Sequence, residues 1–128
     1  MVPLTNYLEK NQNVKPSTMV YLYSRYASLF TLMASLSSNN KKMETMLFNK
    51  SDLSLAFTSK VMTKISGVSE VQNKESLMKT VEAMSKEYIS ETNENYIRSG
   101  SYIEGSQLLQ GDLVVCGSVT ENIMLRTL

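Results

Sequence analysis

From Met19 onward, apolar and polar positions alternate with the step of a helix. Met19, Leu22/Tyr23, Tyr26, Leu29/Phe30, Met33 and Leu36 recur at steps of three and four, and Val20, Ala27 and Ala34 form a second stripe beside them. Apolar residues over that much of a helix's circumference predict burial against more than one neighbour. Ser17 is placed to cap its start. Ser37-Ser38-Asn39-Asn40 is placed to end it, because such side chains compete for backbone hydrogen bonds. Helical spacing resumes with Met43, Met46 and Leu47 and continues through Leu53, Phe57, Val61 and Ile65 to a stop at Gly67. Ser51 or Asp52 offers a fresh cap that would split this run in two. A third helix is predicted over Lys74 to Ser90, with Leu77, Val81, Met84 and Tyr88 as its apolar face. Glu75–Lys79 and Glu82–Lys86 stand at the favourable i,i+4 spacing on it. Three to four helices over residues 17–95 predict a helical bundle, preceded by an arm of low periodicity at 1–16.

After Glu94 the texture changes. Gly105, Gly111 and Gly117 stand six residues apart, and the segments around them align as Ile103-Glu104-Gly105-Ser106-Gln107-Leu108, Leu109-Gln110-Gly111-Asp112-Leu113-Val114 and Val115-Cys116-Gly117-Ser118-Val119-Thr120. Each unit offers apolar residues two apart and a glycine where the backbone must turn. Residues 96–128 are therefore expected to form a short β arm, either a β-hairpin or a β-solenoid-like coil, giving an α+β fold overall. Three such units make about one coil, and a repeat architecture needs about three stacked repeats to bury a core. The arm must then pack on its own bundle or be completed by neighbouring subunits. Ile103, Leu109, Leu113, Val115, Val119 and Ile123 are the candidate oligomer-interface residues.

The stretch Gly111-Asp112-Leu113-Val114-Val115-Cys116-Gly117-Ser118-Val119-Thr120 resembles a "G-D/N-L-x-V-x-G-x-V-T" phrase of bacteriophage tail-fibre and baseplate proteins. It is also similar to the repeats of bactofilins, polymerising β-helical cytoskeletal proteins. The first resemblance implies trimeric intertwined β structure forming stalks and attachment points. The quoted stretch covers ten of the 128 residues. Bactofilins carry many more repeats, and neither family requires a long helical segment in front.

Composition narrows the chemistry. The chain of 128 residues has 42% hydrophobic and 20% charged residues, which suits one compact domain with an ordinary core. Its net charge of +1 leaves no bulk electrostatic footprint for nucleic acid or an anionic membrane. No histidine is present, which removes Ser-His-Asp and Cys-His catalysis, histidine metal ligation and histidine pH switching. The single cysteine, Cys116, excludes an intrachain disulfide and reads as an inert buried thiol. Nine methionines read as adaptable core filler, with a partner-binding groove as the sharper alternative.

Glu70, Glu75, Glu82, Glu87, Glu91 and Glu94 alternate with Lys74, Lys79 and Lys86 as a solvated helix face does. Asp112 and Glu121 flank the repeat, without the dense acidic loop of a calcium site. Tyr21, Tyr23 and Tyr26 cluster around Arg25. One arginine is too little charge to track a nucleic-acid backbone, so tyrosines at a core rim or subunit interface are expected. Residues 1–50 carry six basic against two acidic groups, and residues 51–128 seven against ten, an asymmetry suited to head-to-tail docking or to intrachain packing.

Met1 to Lys10 shows no signal-peptide pattern, and Arg25 interrupts the one stretch long enough to span a membrane. The expectation is a non-enzymatic structural or assembly protein without cofactors. It would be a self-assembling phage or virion component (tail, collar or baseplate), located in the virion or host cytoplasm. Its partners would be further copies of itself and other proteins of the same assembly, with no nucleic acid, membrane insertion or small-molecule substrate. The alternative is a small soluble regulator or antagonist that binds proteins through its helical surface.

Overall fold

The computed structural model describes residues 1–13 and 15–127, the side chains of 118–127 excepted. All regular structure among the described residues is helical: α1 (Leu4–Lys10), α2 (Pro16–Leu36), α3 (Lys41–Ser66), α4 (Glu70–Ser99) and α5 (Gln107–Thr127). Two compact units divide the chain. One holds residues 13–89, and the other combines residues 1–12 with 90–128.

In the unit of residues 13–89, α2 is the buried element. Leu22 through Phe30 are buried without interruption: the two apolar stripes predict this for their own residues, and the burial extends to Ser24, Arg25 and Ser28 between them. Pro16 occupies its first turn after Lys15 as N-cap, so the helix begins one residue before the expected cap at Ser17. The polar run after Leu36 breaks the chain as expected, and Asn40 caps α3 by accepting the Met43 N–H at 3.2 Å. Gly67 ends α3 in the left-handed conformation, φ 67°, with its N–H bonded to the Thr63 carbonyl.

Of the two readings of this run, one helix or two, the single helix holds: α3 runs through Asn49–Asp52. Ser51 turns inward instead of capping: its hydroxyl donates to the Ala27 carbonyl at 3.0 Å and lies 2.9 Å from Thr31 Oγ1. The α2–α3 contact is rich in small hydroxyl residues, with Ser54 and Thr58 also buried and bonded to carbonyls one turn back in their own helix. Such residues let two backbones approach while their hydroxyls stay satisfied. The first part of α4 closes this unit by placing Leu77 and Val81 on Ala27, with Leu55 and Met62 at the edge.

The C-terminal segment corrects the expected β arm. Residues 107–127 form a helix, so the fold is all-helical among the described residues and not α+β. Leu109, Leu113 and Cys116 stand at i, i+4 and i+7, a helical spacing that the glycine period of six obscures. Leu109 and Cys116 are buried with Asp112 between them. An interior glycine costs a helix about 0.8–1 kcal/mol relative to alanine, and valines a few tenths. Burying one leucine returns about 1.5–3 kcal/mol, so burial outweighs the local β preference.

The third helix also runs past its expected end at Ser90, to Ser99. The connection to α5 is then tight. Gly100 and Gly105 take φ of 77° and 95°, which favour glycine. Asn95, buried near the end of α4, donates from Nδ2 to the carbonyls of Ser101 and Glu104 at 2.9 and 3.0 Å. Ser106 opens α5 by accepting the Leu109 N–H at 3.2 Å. Within the arm expected at 1–16, residues Leu4–Lys10 are helical and Leu4 is fully buried.

Candidate functional site

Of the six candidate interface residues, the structure describes the side chains of Ile103, Leu109, Leu113 and Val115. Leu109 is 0% exposed and belongs to the interior of its unit. Leu113 lies beside it on α5, half-buried, whereas Val115 is about 240° around the helix from Leu109. Ile103 sits half-buried in the turn before α5. Val119 and Ile123 lie outside the described side chains, as does Glu121. Asp112 turns inward, where Oδ1 accepts the Leu4 N–H at 2.8 Å.

The tyrosine–arginine cluster is interior as well. Arg25 is 0% exposed; its Nε donates to Tyr88 Oη at 2.9 Å and its Nη1 to Tyr21 Oη at 3.1 Å. Its guanidinium carbon lies 5.5 Å from the centre of the Tyr88 ring and 5.7 Å from that of Tyr21. Phenol oxygens and ring faces both favour the cation, which is how a low-dielectric site accommodates a guanidinium. Tyr23 packs edge-on to Tyr26 and Phe57, with ring centres 5.2 and 4.6 Å apart. Arg25 therefore presents no basic stacking surface to a nucleic acid.

The acidic residues of α4 are mostly solvated. Lys86 and Glu82 lie 3.7 Å apart as an exposed i,i+4 pair. Glu91 is the partly buried member: its Oε1 accepts from Ser106 Oγ at 2.9 Å and from Arg98 Nη2 at 3.3 Å, holding the start of α5 against α4. Among the described residues no three histidine, cysteine, aspartate or glutamate side chains gather as a metal site. Cys116 is buried. No helix is long and apolar enough to cross a membrane among the described residues.

What lies open is apolar surface. On the α4 segment of residues 70–89, Val71, Met78 and Ile89 are 69%, 53% and 47% exposed. At 100° per residue they fall within about 20° of one another, roughly 100° from the line of Leu77, Val81 and Tyr88 that faces inward. A shallow open groove of about 500 Å³ is lined by Val71, Lys74, Glu75, Met78 and Lys79. The i,i+7 spacing of Val71 and Met78 is readable in the sequence, but the stronger stripe of Leu77, Val81, Met84 and Tyr88 claims the apolar face first. No family model, curated protein or solved structure matches the chain.

Proposed function

We propose that this protein is a non-enzymatic interaction and assembly protein that works through its helical surface. The observation that carries the reading is the exposed line of Val71, Met78 and Ile89 on α4, flanked by charged residues and separate from the buried face of the same helix. An apolar stripe rimmed by charge is the surface that helix-to-helix docking uses. Arg25 with Tyr21 and Tyr88, and Tyr23 with Phe57, are engaged in hydrogen bonds and ring contacts with one another.

The segment that resembles phage tail-fibre proteins is helical, so the intertwined β structure that likeness implies has no place in this reading. Assembly rests instead on helical faces. The test is comparative affinity capture from source cells with the wild-type chain and with Met78→Glu as baits. Loss of a reproducible set of bound proteins in the variant is expected. Identical sets for both baits, or none for either, would overturn the proposal.

A further inference from the structure

We infer that the partner of this α4 face is a second copy of the chain, docked antiparallel; the inference rests on the proposed interaction function and names its partner. The reason is the order of charges beside the apolar line. Glu75, Lys79, Glu82 and Lys86 follow one another at i,i+4 and i,i+3 along α4, all exposed and all about 20–80° to one side of Val71 and Ile89, with Glu82 at the edge of the apolar line itself. Reversing the helix about a point between Thr80 and Val81 sets Glu75 opposite Lys86 of the other copy and Lys79 opposite its Glu82. Two-fold symmetry makes each pair twice, so four opposite-charge pairs form and no like-charge pair arises on this flank. In antiparallel helix pairs, residues on the same flank meet each other, so the angular positions agree with the axial ones.

The same reversal serves the apolar line. Val71 falls one residue from Ile89 of the second copy. The two Met78 side chains lie about 7.5 Å apart along the axis, within reach of two flexible thioethers. In a parallel pair this flank would face the opposite flank of the other copy, so Glu75, Lys79, Glu82 and Lys86 would not meet one another and the four pairs would not form; the charges favour the antiparallel arrangement. One helix face gives a small interface, so association in the micromolar range or weaker is expected. All the residues used belong to the unit of residues 13–89.

The experiment is absolute mass by sedimentation equilibrium over a concentration series, on three chains checked for equal helix content. One is wild type, the second carries Lys79→Glu with Lys86→Glu, and the third carries Glu75→Lys with Glu82→Lys. Wild type should move from monomer to dimer mass as concentration rises. Each variant should stay monomeric alone, and an equimolar mixture of the two should regain the dimer. Wild type that stays monomeric, variants that dimerise alone, or a mixture that fails to associate would each overturn the inference. Should a variant not fold, cross-linking of Met78→Cys in a Cys116→Ser background by a short bis-maleimide decides instead: covalent dimer is expected, and its absence overturns it. A monomeric wild type would leave the broader function standing if capture still depends on Met78; loss of both would remove both.

Discussion

Asp112 Oδ1 accepts the backbone N–H of Leu4 at 2.8 Å, across 108 residues of chain. The first helix has Pro3 at its N-cap and no side-chain cap of its own. A carboxylate from α5 therefore does for α1 what a local serine or aspartate does elsewhere, satisfying an orphan amide and opposing the positive end of the helix. Replacing Asp112 with Ala should lower stability by about 1–2 kcal/mol. Asn, which keeps an accepting oxygen, should cost less. Urea unfolding of the two variants beside wild type checks the order, and equal losses would show that the cap contributes nothing.

Tyr88→Phe removes the hydroxyl that accepts from Arg25 Nε in a fully buried site. A hydrogen bond to a charged group contributes about 1.5–3 kcal/mol, so a loss of that order is expected in chemical denaturation. Tyr21→Phe should cost less, because Tyr21 is half-buried and solvent can take its place at Nη1. A double-mutant cycle with Arg25→Met should return a coupling for Tyr88 that exceeds the one for Tyr21.

Gly111 lies inside α5, and a Cβ placed there meets nothing within 4 Å. Gly111→Ala should therefore stabilise the protein by about 0.5–1 kcal/mol, through helix propensity and a less flexible unfolded chain. Thermal unfolding followed by circular dichroism reads this directly. A destabilised variant would be the signature of the β arm that the glycine spacing suggests, in which that glycine turns.

Gly67 gives the opposite sign. Its φ of 67° ends α3, so Gly67→Ala forces an L side chain into the left-handed region although the surrounding space is open. A loss of about 1 kcal/mol is expected from the same unfolding measurement.

Much of the helical part is legible in the sequence because its signals are local. The α2 stripe from Met19 to Leu36, the break at Ser37–Asn40, the stop at Gly67 and the inward face of Leu77, Val81 and Tyr88 all follow from spacing and capping chemistry. The burial of Leu22, Tyr23, Tyr26, Ala27, Leu29 and Phe30 follows too, from the two stripes of α2, whereas that of Ser24, Arg25 and Ser28 does not. Ser51 reads as a cap in the sequence because a serine's local options are the only ones a sequence displays; its bond to Ala27 exists only once α3 lies on α2.

The candidate interface is less legible. Its residues are taken from apolar positions of the six-residue units, and in the helix Leu109 and Val115 stand about 120° apart. The α4 line of Val71, Met78 and Ile89 is weaker than the stripe of Leu77, Val81 and Tyr88, and only packing shows that it stays exposed once that stripe is buried.

The sequence by itself determined the helices whose apolar period and end signals agree, and it determined the chemistry that the absence of histidine excludes. Tertiary structure alone decided the C-terminal segment, the cap that Asp112 gives Leu4, the bond that turns Ser51 inward and the surroundings of Arg25. The physical reason is the same in each case. Propensity and turn preferences differ by about 1 kcal/mol per residue or less, whereas burial of Leu109 or loss of a buried partner for Asp112 or Arg25 weighs more. Burial and buried hydrogen bonds depend on residues far away in the chain, so they take effect only when the helices pack.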